Sequence, residues 1–199
     1  MAMAAPSKVW TREEVLALQD AATNGVRYEL IDGELLASPS PNDPHQRCVS
    51  LLLYFLVGYC RPHRVGWAMT SPADLSLDRE SILQPDVFVV PWHTPAASRG
   101  WEHVTRLRLA VNVLSPSTAR GDRTVKRRYL QRMGVPEYWI VDHRARLVER
   151  WRPDDERPEI VTGTLPWHPD AAIEPLRIDL PELFTEALGP VTVDLSGGE

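Results

Sequence analysis

Short runs of alternating or continuously apolar residues recur along the chain and predict a protein built largely on β-strands. Two such runs within residues 28–36 are separated by Asp32-Gly33, a dipeptide typical of tight turns, so an N-terminal β-hairpin is expected. Leu107–Leu114 ends in an apolar run interrupted by Asn112, which predicts a strand buried on both sides with one polar group inside it. The other predicted strands are Arg64–Thr70, Ala73–Leu77, Asp86–Val90, Glu137–Asp142 and Arg146–Trp151, with weaker ones near Ile160 and Ile178.

Helical patterns lie between these strands. Thr11–Glu14 form a capping box before an apolar cluster, so a short helix should begin there. His45–Tyr59 is apolar around most of a helical circumference, which is typical of a largely buried helix. A third helix should follow the turn at Ser115–Thr118 and run to about Met133, and a short one should cover Pro181–Ala187. These elements predict an α/β (α+β) fold with a mixed β-sheet core flanked by helices.

The length and composition of the chain fit one folded domain. Of its 199 residues, 43% are apolar and 25% are charged, which is near the averages of globular proteins. We expect a single domain over residues 1–199, with a core at about residues 26–152 and residues 153–199 packed on it as a C-terminal extension. The longest apolar run, Val49–Cys60, is shorter than the ~20 residues of a membrane-spanning helix, and Met1–Pro6 lacks the pattern of a secretory signal. A cytoplasmic location without membrane contact is therefore expected.

The two cysteines fit the same interpretation. Cys48 and Cys60 fall within one apolar helical stretch, where twelve residues would separate them by ~18 Å. A disulfide needs Cα atoms within about 7 Å, so both thiols should be reduced and buried.

The net charge of the chain indicates that any contact with nucleic acid must come from a local cluster of basic residues. A net charge of −5 gives the whole molecule no attraction for a polyanion. Residues 120–132, however, hold six basic side chains and one acidic one at helical spacing. We expect Arg120, Arg123 and Arg127 to contact backbone phosphates. The alternative is that this run is simply the solvated face of a surface helix.

Four polar residues stand in otherwise apolar surroundings: Glu29, Asp86, Asn112 and Lys126. Asp86 begins one predicted strand and Asn112 lies inside another, and a lysine follows. Carboxylates bind Mg²⁺ together with water and phosphate oxygens, while a lysine polarises an attacking water or stabilises the phosphate. We therefore predict that Asp86 and Lys126 line one cleft. A Pro-Asp pair before a strand is also ordinary turn chemistry, so the pattern alone leaves a structural role open.

Five sequence blocks between residues 28 and 142 form a wider pattern: Tyr28–Glu34, Pro85–Val87, Val113–Thr118, the trio Asp122, Lys126 and Tyr129, and Gly134–Asp142. In this order they resemble the Uma2 family of restriction endonucleases. The resemblance implies a restriction-endonuclease-like core of the PD-(D/E)XK type, with helices on a mixed sheet and an N-terminal hairpin. It also implies a site for Mg²⁺ or Mn²⁺ and hydrolysis of phosphodiester bonds, with DNA as the expected substrate.

The resemblance assigns roles to individual residues. It implies that Glu29 is the acidic residue of the hairpin, that Asp86 and position 112 bind the metal ion, and that Lys126 completes the catalytic set. This lysine lies on the following helix, because the position two residues after 112 holds Leu114. For His45 we favour a packing or hydrogen-bonding role. The supporting positions that the resemblance implies are His45, Asp122 and Tyr129.

Position 112 departs from the family pattern, which has glutamate before Val-Leu-Ser-Pro. Asparagine offers a neutral oxygen in place of a carboxylate, so Mg²⁺ or Mn²⁺ should be held less well. Two functions stay open: a metal-dependent endonuclease whose activity is in doubt, and a catalytically impaired nuclease-fold module that binds nucleic acid or a protein partner. We also expect a homodimer. A purely structural dimerisation protein, with exposed Trp92, Trp101 and Trp151 at its interface, is a third alternative.

Overall fold

The computed structural model describes residues 8–23, 25–94, 100–101 and 103–190. The strands within them are β1 (Arg27–Ile31), β2 (Glu34–Ser38), β3 (Gly66–Thr70), β4 (Val87–Pro91), β5 (Leu109–Val113), β6 (Tyr138–Asp142), β7 (Leu147–Trp151), β8 (Glu159–Val161), β9 (Thr164–Trp167) and β10 (Leu176–Asp179). The α-helices are α1 (Arg12–Ala21), α2 (Asp43–His63), α3 (Ala119–Gly121), α4 (Arg127–Arg132) and α5 (Leu180–Leu188). A π-helical turn, Asp122–Lys126, joins α3 to α4. Met1–Pro6 and the last nine residues of the expected C-terminal extension, 191–199, lie outside the described residues.

Six strands form one mixed sheet in the order β3-β4-β5-β6-β7-β8. Its neighbouring pairs are antiparallel except β5–β6, which is parallel. A parallel pair needs a long crossover connection, and α3, the π-helical turn and α4 provide it here. Strands β1 and β2 form the predicted N-terminal hairpin, and β9 pairs with β10. The expected fold class, a mixed sheet flanked by helices, is confirmed.

The two faces of the sheet bury separate apolar layers. On β6, Trp139 and Val141 belong to the layer that contains α2, whereas Tyr138 and Ile140 belong to the layer that contains residues of β1 and α4. The two-residue period of a strand predicts this division. Residues of β9, β10 and α5 also join the α2 layer, so the C-terminal elements cover that face of the sheet.

The ends of α2 are set by its sequence. The Asn42 side chain accepts a hydrogen bond from the His45 backbone N–H, and Arg64 ends the helix in the left-handed conformation, with φ at 52°. Arg64 is therefore a helix cap and not, as predicted, the first residue of a strand. Cys48 and Cys60 are free, as expected, and burial raises the pKa of their thiols to about 11 and about 12. None of the described helices is both long enough and apolar enough to cross a membrane.

In the segments that connect the main elements, one predicted strand is absent and one observed strand was not predicted. Ala73–Leu77 is not a strand, because Leu75 forms only a single bridge, to Leu83. The Asp74 side chain instead accepts hydrogen bonds from two glutamine amides, so side chains rather than a backbone ladder hold this segment. The sequence pattern did not predict strand β9, because Pro166 lies inside it and proline is unusual within a strand.

The three tryptophans expected at an exposed interface do not form one. Trp151 is buried, because strand alternation on β7 turns it into the layer beside α4, with the Arg127 guanidinium 4.8 Å from its ring. Trp101 packs against the same apolar layer. Trp92 stacks on the exposed Trp67, with 4.6 Å between the ring centroids. The expectation of three exposed tryptophans is therefore wrong.

Candidate active site

The register of the sheet brings Asp86 and Asn112 together. Strands β4 and β5 are antiparallel with Val87 opposite Val111, so the next residues outward, Asp86 and Asn112, face each other. The Asn112 amide donates to Asp86 Oδ2 over 3.4 Å, and the Val113 backbone N–H donates to the same oxygen over 2.9 Å. Both side chains are buried. The two residues predicted to bind a metal ion are thus direct neighbours.

The hairpin contributes two charged side chains from one face of β1. Arg27, Glu29 and Ile31 alternate along the strand and share a face, and Ile31 anchors that face in an apolar layer. The Arg27 guanidinium lies 3.1 Å from Asp86 Oδ1, and Glu29 Oε2 lies 2.6 Å from Lys126 Nζ. The hairpin therefore places Arg27 beside Asp86 of the sheet and Glu29 beside Lys126 of the π-helical turn.

The π-helical turn presents Asp122 and Lys126 to the same place. Lys126 Nζ lies 2.9 Å from Asp122 Oδ1, in addition to its contact with Glu29. Turns of this type are rare and occur frequently at functional sites. Tyr129, three residues further on, packs in the apolar layer, and burial raises the pKa of its hydroxyl to about 12. Asp122 is therefore part of the cluster, whereas Tyr129 lies in the apolar layer.

Lys126 is a buried cation between two carboxylates. Burial by itself would lower the pKa of Lys126, but the charges and hydrogen bonds of Asp122 and Glu29 outweigh it, and the pKa is raised. Burial raises the pKa of Glu29, although the charge of Lys126 opposes this. Lys126 is therefore protonated at neutral pH and acts as a fixed positive charge, not as a general base.

The charge on Asp86 determines how Asn112 is oriented. Burial acts to raise the pKa of Asp86, yet the hydrogen bond from His45 and the neighbouring cations lower it overall. An ionised carboxylate only accepts hydrogen bonds, so Asn112 must turn its NH₂ group toward Asp86. The carbonyl oxygen of Asn112 then accepts from the Tyr138 hydroxyl over 3.2 Å. Asn112 is thus a hydrogen-bond donor to Asp86.

His45 contacts Asp86 from the first turn of α2. Its Nε2 lies 3.3 Å from Asp86 Oδ2, which supports the hydrogen-bonding role expected for it. Its Nδ1 is buried and has no hydrogen-bond partner within the described part of the chain. His143, just after β6, is also buried, and burial together with the charge of His45 lowers its pKa. His45 therefore contacts the Asp86 carboxylate directly, whereas His143 interacts electrostatically with His45.

One cleft of about 150 Å³ is lined by Arg27, His45, Asp86, Asn112 and Lys126. The end of β2, the start of α2 and the Ser115–Thr118 loop form its walls. Asp86 and Lys126 both line it, which confirms the prediction that they converge. In the loop, the Ser115 hydroxyl lies 3.0 Å from the hydroxyls of both Ser117 and Thr118, so three hydroxyl groups lie together at this wall. We refer to it below as the central cleft.

The arginines expected to contact phosphate have different surroundings. Arg123 is paired with Glu149 at 2.6 Å and with Asp142 at 3.2 Å. Arg127 donates to a glutamine one turn along the helix and lies over a tryptophan ring. Arg120 is exposed, and its guanidinium has no hydrogen bond or ion pair to any described residue. Arg120 is therefore the member of this set that can meet a phosphate without breaking a contact.

Three residues in or near the site, Arg27, Tyr138 and His143, were not predicted as site residues from the sequence. Arg27 could be found from the strand period, because it lies two residues before Glu29 on the same face. Tyr138 could be found from its alternation on β6. His143 has no local signal, since it meets the site only because β6 lies parallel to β5 and ends beside it.

The match to known proteins extends over most of the chain. The Uma2 family model, described as "Putative restriction endonuclease", matches residues 12–180. The chain belongs to the Uma2 family. No curated protein sequence matches it. A solved structure from Anabaena variabilis, described as "a putative nuclease belonging to DUF820", aligns with this Uma2 chain at a TM-score of 0.71 and 21% identity, covering 90% of this chain and 99% of that one. The two proteins share a fold.

Restriction-endonuclease-like families generally use divalent metal ions, and Mg²⁺ requires near-octahedral oxygen ligands. In this Uma2 chain both oxygens of Asp86 accept from protein donors, and the two oxygens of Glu29 are bound by Lys126 and by the Gln84 backbone N–H. Asn112 turns its NH₂ group, not its oxygen, toward Asp86. In the described residues, no group of three or more His, Cys, Asp or Glu side chains is placed to hold a metal ion. The donor atoms therefore do not fit a tightly held divalent cation.

Proposed function

We propose that this Uma2 protein is a nuclease that binds nucleic acid, with DNA as its substrate, and whose metal-dependent hydrolysis is strongly reduced by Asn112. The observation that carries the proposal is the hydrogen bond from Asn112 to Asp86. A neutral donor stands where the family pattern has a glutamate. The second carboxylate of the metal site is thereby missing, while the rest of the charged cluster is present.

The charge balance of the cluster at and behind the central cleft supports this proposal. Three carboxylates and two cations meet in the contacts described above, which leaves one formal negative charge when the histidines are neutral. Glutamate at position 112 would add a second negative charge, and repulsion among buried carboxylates is relieved by a bound cation or by protonation. With Asn112 the cluster has less need of a bound cation, and protein donors already contact both oxygens of Asp86.

Donors for a nucleic-acid backbone lie around the cleft rather than inside it. The hydroxyls of the Ser115–Thr118 loop line one wall, and the exposed Arg120 follows on the next helical turn. Hydroxyl and guanidinium groups are common partners of phosphate oxygens. A phosphate held by these groups would lie beside Asp86 and Lys126. Because the net charge is −5, we expect binding to depend on these local donors and to weaken with salt through the contact of Arg120 with phosphate.

A gain-of-function substitution tests the proposal. The unchanged chain and Asn112→Glu are incubated with supercoiled plasmid DNA and Mg²⁺ or Mn²⁺, and the nicking rates are compared. We expect the variant to cleave at least about 100-fold faster, since losing even the groups that support metal ligands costs about 10–100-fold. Asn112→Gln is the matched control, because it has nearly the size of glutamate without its charge, and it should stay slow.

Adding Asp86→Asn to Asn112→Glu should abolish the gained activity, which excludes a contaminating nuclease as its source. Equal nicking by the unchanged chain and the glutamate variant would contradict the proposal. A glutamate variant that is folded, gains stability from metal and still cleaves no DNA would contradict it as well.

A further inference from the structure

A second and larger groove adjoins the central cleft on the side of α2. It encloses about 400 Å³ between α2 and the end of β3, and it shares Arg27 and Asp86 with the central cleft. Sites for small organic groups typically enclose ~300–1,000 Å³. The groove falls within that range, whereas the central cleft, at about 150 Å³, falls below it. The groove therefore has room for a group that the cleft cannot hold.

The walls of the groove combine an apolar surface with a few hydrogen-bonding groups. Val49 and Leu53 line it from α2, and Pro72 lines it from the segment after β3. Gln46 and Ser50 lie on the same side of α2, at the three- and four-residue spacing that brings side chains onto one helical face. Apolar walls with a small number of polar groups are typical of sites that bind organic ligands.

At its inner end, the groove offers a donor and an acceptor side by side. Among the described residues, Asp86 Oδ1 accepts only from the Arg27 guanidinium, at 3.1 Å, so this oxygen keeps a further acceptor site beside a donor. The edges of nucleobases carry donors and acceptors next to each other, and carboxylates accept hydrogen bonds from base amino groups. A further phosphate bound in the groove would be repelled by the net negative charge of the cluster. A neutral base would not be repelled.

We propose that this groove, between α2 and the end of β3, binds a nucleobase of the strand whose phosphate lies at the central cleft. The inference rests on the proposed function and adds a substrate class to it: a nucleic-acid strand with an unpaired base. In a duplex the base is stacked and paired, so entry into the groove would require it to flip out at a cost in free energy. Single strands should therefore bind more tightly than duplexes of the same length.

Binding titrations test the inference without requiring cleavage. Fluorescence anisotropy of the full chain, in EDTA and at fixed salt, compares labelled single strands of deoxycytidine, deoxyadenosine and thymidine with an abasic strand of the same length and with a duplex. The abasic strand keeps every phosphate and lacks the bases. We expect the best base-bearing strand to bind about 10-fold more tightly than either the abasic strand or the duplex.

Substitutions in the groove wall locate the effect. Gln46→Ala, at an exposed position, and the double variant Gln46→Ala with Leu53→Ala should weaken binding of the base-bearing strand about 3- to 10-fold and leave the abasic strand unaffected. Tyr54→Ala is the matched control, since Tyr54 lies on the same helix, is 72% exposed and does not line the groove. It should change neither affinity.

Equal affinity for the base-bearing and abasic strands would overturn the nucleobase site and leave backbone binding intact. Equal loss of both ligands in the groove variants would also overturn it. If no strand binds, this inference and the nucleic-acid binding of the proposed function fall together.

Discussion

Replacing Lys126 by methionine should destabilise the protein far more than the loss of one charge normally does. Methionine fills nearly the same space, so the substitution removes the charge and largely keeps the packing. Lys126 Nζ lies 2.6 Å from Glu29 and 2.9 Å from Asp122, and the three side chains are at most 4% exposed. Without the cation, two carboxylates remain buried against each other. Breaking a buried ion pair in this way costs about 3–5 kcal/mol, or roughly 6–20 °C in Tm for a protein of this size.

An exposed ion pair of the same length provides the control. Arg132 lies 2.6 Å from Asp32, but these side chains are 50% and 55% exposed. Arg132→Met should therefore cost less than about 1 kcal/mol, because water screens the charges that remain. Since the two distances are equal, the difference between the variants measures the effect of burial.

The assay is denaturant unfolding of the unchanged chain and both variants at a series of pH values. Burial already raises the pKa of Glu29 from 4.5 with Lys126 present, and losing the cation raises it further. A carboxyl group whose folded pKa lies above its unfolded value contributes stability below the unfolded pKa, and this is lost as pH rises through the folded pKa. The stability difference between Lys126→Met and the unchanged chain should therefore be largest at neutral pH and shrink as pH falls toward 4.5. A difference below about 1 kcal/mol, or one that does not vary with pH, would refute the reasoning.

Two further predictions concern the metal ion and the nucleic acid. In EDTA, Asn112→Glu should melt at a lower temperature than the unchanged chain and should gain more from millimolar Mg²⁺ or Mn²⁺, because it adds a carboxylate beside Asp86. Equal gains in thermal melts would mean that position 112 does not influence metal binding. Arg120→Gln should reduce the slope of log affinity for DNA against log salt by about 1, whereas Arg123→Gln, which alters a residue already paired with Glu149, should leave it unchanged. The opposite ranking of the two slopes would show that Arg123 exchanges its partner for phosphate.

Much of the site could be predicted because its residues are polar or charged within apolar segments. Asp86 and Asn112 are polar positions beside or inside apolar strands, and Lys126 lies at helical spacing from Asp122. Their meeting depends on the antiparallel register of β4 and β5 and on the crossover helix. The family pattern supplied that long-range information. Local periodicity alone indicates which polar residues lie in apolar segments. It does not indicate which of them are in contact in the folded protein.

The unpredicted parts depend on contacts between distant segments. Leu75 and Leu77 have the alternation of a strand, but the first forms an isolated bridge, and the side chains around it satisfy the neighbouring polar groups. The orientation of Asn112 requires both the ionised Asp86 and the Tyr138 hydroxyl, and no spacing in the sequence encodes that combination. Strand pairing and hydrogen-bond direction are tertiary properties. They determine the conformation around Leu75 and the orientation of Asn112, so the sequence pattern could predict neither.

The charged side chains of the hairpin, Arg27 and Glu29, meet partners from far along the sequence. The pair between Asp32 in its turn and Arg132 on α4 spans 100 residues, and the bond from Gln84 to Glu29 spans 55. During synthesis the hairpin leaves the ribosome well before the crossover helix that supplies Lys126. Because loop closure must precede such contacts, they belong to the late, slow part of chain collapse. A nascent chain therefore carries the charged residues of the cluster as separate, hydrated groups, and we expect the proposed nucleic-acid site to form only when the hairpin packs against the sheet and the crossover helix.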